Sequence, residues 1–369
     1  MAAATTNDLQ EQTPVPIPAL MRAAVYRGVN DVRVETVPVP KINDGEVLIR
    51  VHSCGVCGTD LKKIHTGSHS APRIFGHEIS GVIAAIGDGV EGFAVDDRVM
   101  VFHHTPCGKC YYCRKKTPTQ CNDYKRVGVT AGFEPAGGGF AEYVRVLPWI
   151  VHRGLIRIPD GVPFEQAAFV EPVNTVYKGI CNLALEPDET VLVIGQGPIG
   201  ILLAALAART GAKVLTSDLY PERHKIAAVY GLHHPIDASK EDVVAAAHKA
   251  SEGRGADAVI LAVGGNALIR TAMDSARPGG RILLFAATQH TEATFDPAVV
   301  CMDEKTLMGS YSSSFELQPE VEKIVFGGYR NGFDLTRLIS HRFSLEDSVE
   351  AIRVASNPSA TSMKVFIQP

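Results

Sequence analysis

The sequence has no long hydrophobic run, no excess of positive charge and no apolar leader at its N-terminus. Its longest apolar stretches, such as residues 201–208, are too short to span a bilayer. With 36 basic and 40 acidic residues the net charge is −4, so there is no basic footprint for nucleic acid or for a membrane surface. Residues 1–20 are polar and lack the basic and apolar regions of a signal peptide. We therefore expect them to form a disordered tail, and we expect neither a nucleic-acid nor a membrane partner.

Cysteine, in contrast, is present in an informative pattern. Four of the eight cysteines are separated by two, two and seven residues: Cys107, Cys110, Cys113 and Cys121. Zn²⁺ prefers tetrahedral coordination, and four thiolates leave no open position for substrate, so this spacing predicts a structural zinc site. The alternatives are a set of buried free cysteines and a disulfide framework, which suits small secreted chains instead. Reduced cysteines without an export signal indicate the cytoplasm.

The chain is long enough, at 369 residues, for two domains. As far as about residue 169 it has short β-rich segments, at 21–26, 31–35 and 46–51, punctuated by Gly, Pro and Asp. Beyond residue 172, strand segments at 190–194, 213–218, 256–261 and 281–285 alternate with helical ones, and residues 277–280 are predicted to form a turn. This alternation predicts an α/β, doubly wound parallel sheet of the Rossmann type. We expect the last part, ending in a strand at 363–367, to return to the first domain.

A glycine-rich turn follows the strand at 190–194 and opens a helix. It fits G-x-G-x-x-G with Gly195, Gly197, Pro198, Ile199 and Gly200. The glycines permit a tight turn and close approach to a pyrophosphate, which the N-terminus of the helix would bind. Asp218 ends the next strand, where its carboxylate would accept hydrogen bonds from ribose hydroxyls and repel a 2′-phosphate. Asp218 therefore favours NAD, although Arg223 could meet a phosphate or stack on adenine, and Asp218 could be an ordinary turn residue.

A second group of possible metal ligands lies outside the cysteine cluster: Cys54, His77, Glu78 and Glu171. Thiol, imidazole and carboxylate are all zinc ligands, but these residues can meet only in the fold. His77 and Glu78 could equally form an ordinary hydrogen-bonded pair. We interpret Cys57 as a packed thiol, and we do not expect the pair His103 and His104 to bind a metal.

These motifs together resemble the zinc-dependent medium-chain alcohol dehydrogenases, and most closely the sorbitol/L-iditol (polyol) dehydrogenase branch. Cys-Gly-Val-Cys-Gly-Thr-Asp at 54–60, Gly-His-Glu at 76–78, the four-cysteine cluster, Val-Glu-Pro at 170–172 and the glycine turn occur in the family's order. The resemblance covers residue 21 to the C-terminus. It implies a mainly β, GroES-like catalytic domain over 21–171 and 311–369, and an NAD-binding domain over 172–310.

The resemblance also implies roles for particular residues. Cys54, His77 and Glu78 match positions of a catalytic zinc, and Glu171 matches a position that binds the metal or its water. Either Glu78 or Glu171 could be the direct ligand. Thr59 matches a hydroxyl that relays the substrate proton, and since Lys62 replaces the usual histidine, the relay could continue through His65, Lys62 or water. The cofactor side would include Val263, Phe285, Ala286, Ala287, Ser310 and Tyr311.

The sequence thus predicts an enzyme with two zinc ions per chain that transfers hydride between a secondary alcohol and NAD. The expected substrate is a polyol such as sorbitol or L-iditol, oxidised to the ketose. L-threonine 3-dehydrogenase and cyclitol dehydrogenase are alternatives with the same motifs, and a catalytically silent nucleotide-binding protein is a rival from another class. By resemblance we expect a homodimer or homotetramer.

Overall fold

Two large sheets organise the chain, in a computed structural model that describes residues 16–133, 137–286 and 292–369. The first part of the chain is mainly β, as predicted. A small sheet has the order β2-β1-β4. Strands β3, β5, β6, β8 and β9 pair antiparallel within a larger sheet, in which β8 also pairs with β7. The strands are β1 (Leu20–Gly28), β2 (Asp31–Pro38), β3 (Val47–Gly55), β4 (Arg73–Ile74), β5 (Glu78–Ile86), β6 (Arg98–Val101), β7 (Val129–Thr130), β8 (Tyr143–Val146) and β9 (Leu155–Arg157).

Short helices interrupt this β-rich part and carry several of the predicted site residues. They are α1 (Gly58–Thr66), α2 (Tyr111–Arg114), α3 (Pro148–Val151), α4 (Phe164–Ala168) and α5 (Val170–Leu183). The turn before α1 follows directly from β3, so the residues of the Cys-Gly-Val-Cys segment pass from a strand into a helix. Leu20 already belongs to β1, and residues 1–15 of the predicted tail lie outside the described residues.

The second sheet is parallel and confirms the predicted Rossmann arrangement. Its order is β12-β11-β10-β13-β14-β15. Strands β10 (Thr190–Ile194), β11 (Lys213–Asp218), β12 (Pro235–Asp237), β13 (Ala256–Leu261), β14 (Ala276–Leu284) and β15 (Thr306–Gly309) alternate with α6 (Pro198–Ala208), α7 (Pro221–Ala228), α8 (Val243–Ala250), α9 (Asn266–Ser275) and α10 (Pro297–Cys301). The strand order reverses between β10 and β13, and ligands of such sheets bind in the crevice outside the carboxyl ends of the strands at this point.

One local prediction in this sheet is wrong. Residues 277–280 were expected to form a turn, yet they belong to β14, which starts at Ala276. The pairing of β14 with β13 shifts register between Ala256 and Ala258, so the extra residues bulge out of the ladder. Arg-Pro-Gly-Gly is turn chemistry by composition, but a bulge takes the same residues without leaving the strand.

The last part of the chain contributes strands to the first large sheet. It contains α11 (Gln318–Glu322), α12 (Gly328–Arg330), α13 (Ser348–Ser356), β16 (Ile339–Ser344) and β17 (Lys364–Gln368). β17 is parallel to β16 and antiparallel to β3, with Ile367 opposite Cys54, so the large sheet has the order β16-β17-β3-β5-β6-β9. Lys364, at the start of β17, is thereby brought next to the residues that follow β3.

One hydrophobic core connects the two halves. The α5 residues Val176 and Ile180 pack in the same cluster as Leu203 of α6 and Phe366 of β17. α6 is apolar nearly all round and buried, which is typical of a helix packed on a parallel sheet. α5 carries the predicted site residue Glu171 in its first turn and packs against α6 of the parallel sheet, so it connects the site to the nucleotide-binding half of the molecule.

Candidate active site

The four cysteines of the sequence cluster form a compact group of sulfurs. The Sγ atoms of Cys107 and Cys113 are 4.0 Å apart, and those of Cys110 and Cys113 are 3.6 Å apart. Four thiolates around Zn²⁺ at about 2.3 Å would have their sulfurs about 3.8 Å apart, so the group fits a tetrahedral zinc. The backbone N–H of Cys110 donates to the sulfur of Cys107 at 3.3 Å. Burial raises the pKa of Cys113 to about 12, so a cation is needed to hold this sulfur as a thiolate.

A second group of donors lies in the β-rich part. The sulfur of Cys57, a ring nitrogen of His77 and a carboxylate oxygen of Glu78 all lie within 4.8 Å of one another. Cys57 precedes α1, His77 directly precedes β5, and Glu78 is the first residue of β5. Thiolate, imidazole and carboxylate with room for a further ligand are the donors of catalytic zinc sites. These three residues would therefore hold the catalytic zinc.

The expectation for the thiol is corrected, since Cys57 and not Cys54 joins this group. Cys54 is a residue of β3 and is fully buried in the hydrophobic core. Its sulfur lies close to Gly76 and Gly139, where an added Cβ would come within 2.8 and 2.5 Å of it. Burial raises the pKa of Cys54 well above its ordinary value, and nearby carboxylates reinforce the effect, so it stays a neutral thiol. The side-chain alternation of β3 directs it to the core, and the chain must leave the strand before a thiol can reach the metal group.

Asp60 is a functional residue that sequence reasoning missed. It is fully buried, and its Oδ1 lies 3.0 Å from Nδ1 of His77. It also accepts hydrogen bonds from the backbone N–H groups of Gly76 and Cys57. The bond to Nδ1 leaves Nε2 of His77 for the metal, and such carboxylate partners fix the orientation of the ligating ring. The sequence did offer one indication of its role, because Asp60 directly follows Thr59 in the same segment as Cys57.

The charges of Asp60 and His77 are coupled. Burial acts to lower the pKa of His77, but the charges of Asp60 and Cys57 and the hydrogen bonds to both together raise that pKa well above its usual value. Burial acts to raise the pKa of Asp60, but the charge and hydrogen bond of His77 lower it. Asp60 is therefore an anion in the folded protein, which suits a partner that must strengthen the imidazole as a ligand.

Lys364 is the second residue that sequence reasoning missed. Its Nζ lies 2.6 Å from both carboxylate oxygens of Glu78 and donates to the carbonyl of Val56 at 3.0 Å. Both side chains are almost completely buried, so the pair neutralises a charge that would otherwise be costly to bury. Gly55 is required beside it, because an added Cβ would come within 2.0 Å of Oε2 of Glu78. The pair holds the Glu78 carboxylate next to the metal group.

Glu171 lies near this group but outside the three close donors. It is in the first turn of α5 and buried. Burial raises its pKa to about 7, opposed by the charge of His77 and reinforced by that of Glu78. A carboxyl group with this pKa can accept and release a proton near neutral pH.

The two residues considered for the proton relay differ in their surroundings. Thr59 is exposed in the first turn of α1, between Cys57 and Asp60. His65 lies at the other end of α1 and is also exposed, and its ring nitrogens bond to Asn30 Oδ1 at 2.6 Å and Ser356 Oγ at 2.8 Å. His65 is thus tied to surface partners and not to the metal group.

A row of aromatic rings extends from His77 of the metal group through two further histidines to a tyrosine. The ring of His103 lies 4.6 Å from that of His77, His104 lies 3.9 Å from His103, and Tyr124 lies 5.1 Å from His104. Burial lowers the pKa of His103 well below its usual value and that of His104 to about 3, so both imidazoles are neutral. The hydroxyl of Tyr124 bonds to Ser312 Oγ at 2.7 Å, which connects this row to the segment after β15. Neither histidine joins a described cluster of metal ligands.

The glycine turn has the geometry that the motif predicts. Gly195 has φ of +97°, which favours glycine, and an added Cβ on Gly200 would come within 1.8 Å of the Gly195 carbonyl oxygen. Gly197 precedes α6, and α6 begins at Pro198 and Ile199. Its free N–H groups lie at the carboxyl end of β10, where a pyrophosphate would bind.

Asp218 ends β11, as predicted, and is held by the turn itself. Its Oδ2 accepts from the backbone N–H of Gln196 at 2.6 Å, and its Oδ1 accepts from that of Tyr220 at 3.0 Å. Arg223 Nη1 lies 3.3 Å from Oδ2 and its guanidinium stacks on Tyr220. The carboxylate is therefore fixed at the edge of the crevice with a cation beside it.

The residues expected at the nicotinamide end follow the carboxyl ends of parallel strands. Val263 is near Gly195, and Phe285 lies next to Gly179 of α5. Tyr311 is exposed, and its carbonyl accepts a hydrogen bond from Lys178 at 2.9 Å. Ala286 is the second residue after β14 and Ser310 directly follows β15, whereas Ala287 lies outside the described residues.

Comparison with known proteins agrees with this geometry. Residues 43–160 match the alcohol dehydrogenase GroES-like domain, and residues 198–326 match the zinc-binding dehydrogenase family. The chain is 29% identical to sorbitol dehydrogenase of Bacillus subtilis, over 96% of this chain and 98% of that one. It is 33% identical to L-threonine 3-dehydrogenase of Rhizobium johnstonii, over 85% and 88%.

A solved structure has the same fold. Galactitol-1-phosphate dehydrogenase from Escherichia coli superposes with a TM-score of 0.81 at 28% identity, covering 95% of this chain and 100% of that one. Within the described residues, no helix is long and apolar enough to cross a membrane. The motifs, the two groups of metal donors, the two sheets and these relatives lead to one conclusion: the chain belongs to the zinc-dependent alcohol dehydrogenase family and is a secondary-alcohol dehydrogenase.

Proposed function

We propose that this enzyme oxidises a secondary hydroxyl of a polyol to the ketone and transfers the hydride to NAD. The observation that carries the proposal is the close group of Cys57, His77 and Glu78, with Thr59 in the adjoining helical turn. The similarity to a sorbitol dehydrogenase over nearly the whole chain supports a polyol as substrate.

The residues of the site would divide the work as follows. Cys57, His77 and Glu78 hold the metal, and bound zinc would supply a Lewis acid that lowers the pKa of the substrate hydroxyl. Thr59 accepts the substrate proton in a hydrogen bond and passes it outward. Glu171, with a pKa of about 7, is a second acceptor for that proton. Asp60 orients His77, and Lys364 holds Glu78.

The cofactor would lie across the carboxyl ends of β10 and β13. The glycine turn from Gly195 to Gly200 would bind the pyrophosphate, and Asp218 would accept hydrogen bonds from the ribose. The carboxylate disfavours a 2′-phosphate, so NAD is the proposed cofactor. Val263, Phe285, Ser310 and Tyr311 would border the nicotinamide, whose reactive carbon must meet the substrate next to the metal group.

L-threonine 3-dehydrogenase is a second candidate, favoured by the relative that matches at 33% identity. The decisive experiment measures cofactor reduction with sorbitol, L-iditol, xylitol, ribitol, L-threonine and simple secondary alcohols, each with NAD⁺ and NADP⁺. We expect NAD⁺-linked turnover of a polyol that a chelator abolishes. Turnover confined to L-threonine would contradict the polyol proposal. No turnover by the zinc-replete protein would leave two explanations, a substrate outside this panel or the catalytically silent nucleotide-binding protein.

We further propose how the chain divides into domains. The catalytic domain comprises residues 21–171 and 311–369, and the NAD-binding domain comprises residues 172–310. Strands from both ends of the chain in one sheet support the first assignment. We also propose a cytoplasmic homodimer or homotetramer, and light scattering on the purified enzyme distinguishes these from a monomer.

A further inference from the structure

The stretch of chain that follows Asp60, as far as the imidazole of the metal group, carries only basic charge. Residues 61–77 contain no Asp or Glu but include Lys62, Lys63 and Arg73, in a chain whose net charge is −4. The segment runs from Asp60 through α1, the following loop and β4 to the residue that would bind zinc. The chain that joins Asp60 to His77 therefore carries permanent charges that are all positive.

Lys63 is the member of this segment whose side chain the structure places over an aromatic ring close to the metal group. It follows Thr59 by four residues and Asp60 by three, so on the surface of α1 it neighbours each of these two side chains. Its Nζ lies 5.6 Å from the ring centroid of Phe75, within the range of a cation–π contact. Phe75 comes two residues before His77, so the contact holds the ammonium over the segment that leads to the metal group.

The charge of Lys63 is felt inside the site. Burial acts to raise the pKa of Asp60, and the charge of Lys63 helps His77 to lower it. The same charge adds to burial in lowering the pKa values of His103 and His104. Yet Lys63 forms no ion pair with any residue in the described ranges 16–133, 137–286 and 292–369. Asp60 is committed to His77 and two backbone N–H groups. The ammonium is thus held in place without a counter-charge.

We propose that Lys63 binds an anionic group of the substrate, a phosphate or a carboxylate, at the end remote from the hydroxyl that is oxidised. The inference rests on the proposed function and narrows its substrate from neutral polyols to charged polyol derivatives. Four residues of helix separate Thr59 from Lys63 by roughly 6 Å along the axis, which leaves space for several carbons between the two groups. A half-buried ammonium forms a charge-assisted hydrogen bond with an anion. A neutral sugar alcohol carries no anionic group, so it can form only a weaker hydrogen bond there.

The test compares three substrates of one carbon skeleton: the neutral polyol, its terminal phosphate ester and the corresponding aldonate. Wild-type enzyme should prefer one of the charged substrates. Lys63→Met should lower kcat/KM for that substrate about 10- to 100-fold more than for the neutral polyol, mainly through KM. Lys63→Arg should recover most of the loss. The phosphate and aldonate arms identify which anion the site takes.

Lys115→Met is the matched control. Lys115 also lies over an aromatic ring, 5.9 Å from the centroid of Tyr111, but it follows α2 in the segment that contains the four clustered cysteines. The control removes the same charge and the same kind of contact, and it should leave the preference for the charged substrate intact.

Two outcomes would overturn the inference. One is a wild-type preference for the neutral polyol; the other is an equal effect of Lys63→Met on charged and neutral substrates. Failure of the proposed function has a different signature, since no alcohol, charged or neutral, would then be oxidised. Calorimetric titration of the phosphate ester and the aldonate into the enzyme–NADH complex still decides in that case, because only an anion site at Lys63 makes binding weaker in Lys63→Met and normal in Lys115→Met.

Discussion

The two metal-binding groups of this protein are built in opposite ways. The four cysteines between residues 107 and 121 lie in one loop, whereas Cys57, His77 and Glu78 come from a helix start and a strand start and are supported by Lys364 from the far end of the chain. The first group is readable from spacing, because short loops fix which sulfurs meet. The second is readable only through the sheet register, because β3, β5 and β17 must align before its donors meet. The four-cysteine group therefore stabilises one loop, whereas the Cys57, His77 and Glu78 group forms only when the whole sheet has formed.

The largest effect should separate Cys57 from Cys54. Cys57→Ser removes a zinc ligand, so zinc content should fall from about two to about one per chain, with a loss of turnover beyond the 100-fold typical of residues that only support a ligand. Cys54→Ser should keep both zinc ions, because Cys54 lies in the core. Elemental analysis of both variants checks this, and zinc loss in Cys54→Ser alone would restore the sequence-based assignment.

Thr59→Ala should have the next largest effect, lowering turnover about 10²- to 10⁴-fold with zinc content unchanged, since it removes a proton-transfer group. His65→Ala should cost far less, because its ring bonds Asn30 and Ser356 at the surface. Steady-state kinetics of the two variants decide the matter. Equal losses would show that the proton leaves through His65.

The support of His77 can be tested with Asp60→Asn, which keeps the shape of the side chain and removes its charge. We expect zinc affinity or activity to fall about 10- to 100-fold, because the imidazole loses the partner on Nδ1. Competition with a chromophoric chelator measures the affinity. Asp188→Asn, at an exposed position, is the control. Unchanged zinc affinity in Asp60→Asn would mean that the buried pair serves folding alone.

In the cysteine cluster, Cys113→Ser should remove one zinc and lower the thermal midpoint while the other zinc remains bound. The loss is a loss of stability because structural zinc supplies folding free energy to its loop. Zinc analysis and calorimetry of the same sample make the comparison direct. Loss of both zinc ions would contradict the independence of the two groups.

The smallest effect concerns pH and the metal-free protein. Glu171 has a pKa of about 7 in the fold against an ordinary value of 4.5, so the folded state binds its proton more tightly than the unfolded state does. Its stabilising contribution is full below about pH 4.5 and is lost as the pH rises through about 7. Glu171→Gln should therefore be less sensitive to pH across this window than wild type. Chemical unfolding of chelator-treated proteins measures the difference, and parallel curves would contradict it.

Much of the fold was predictable, since strands β10, β11 and β13 are short apolar runs and their alternation with helices implies a parallel sheet. The bulge at residues 277–280 was not, because Pro and Gly suit turns and bulges alike. In the site, His77 and Glu78 were predicted as ligands and remain proposed ones. Asp60 and Lys364 were missed because a buried charge is recognisable only with its partner.

The sequence by itself determined the chemistry that is present: the cysteine spacing, the glycine turn before a helix, and the Cys, His and Glu residues available for a second metal. Only the tertiary structure decided which of them act together. Cys54 and Cys57 are three residues apart, yet the pleat of β3 directs the first into the core and the start of α1 presents the second to His77. Side-chain direction depends on backbone geometry, and a metal selects donors by their distance in space and not by their distance along the chain.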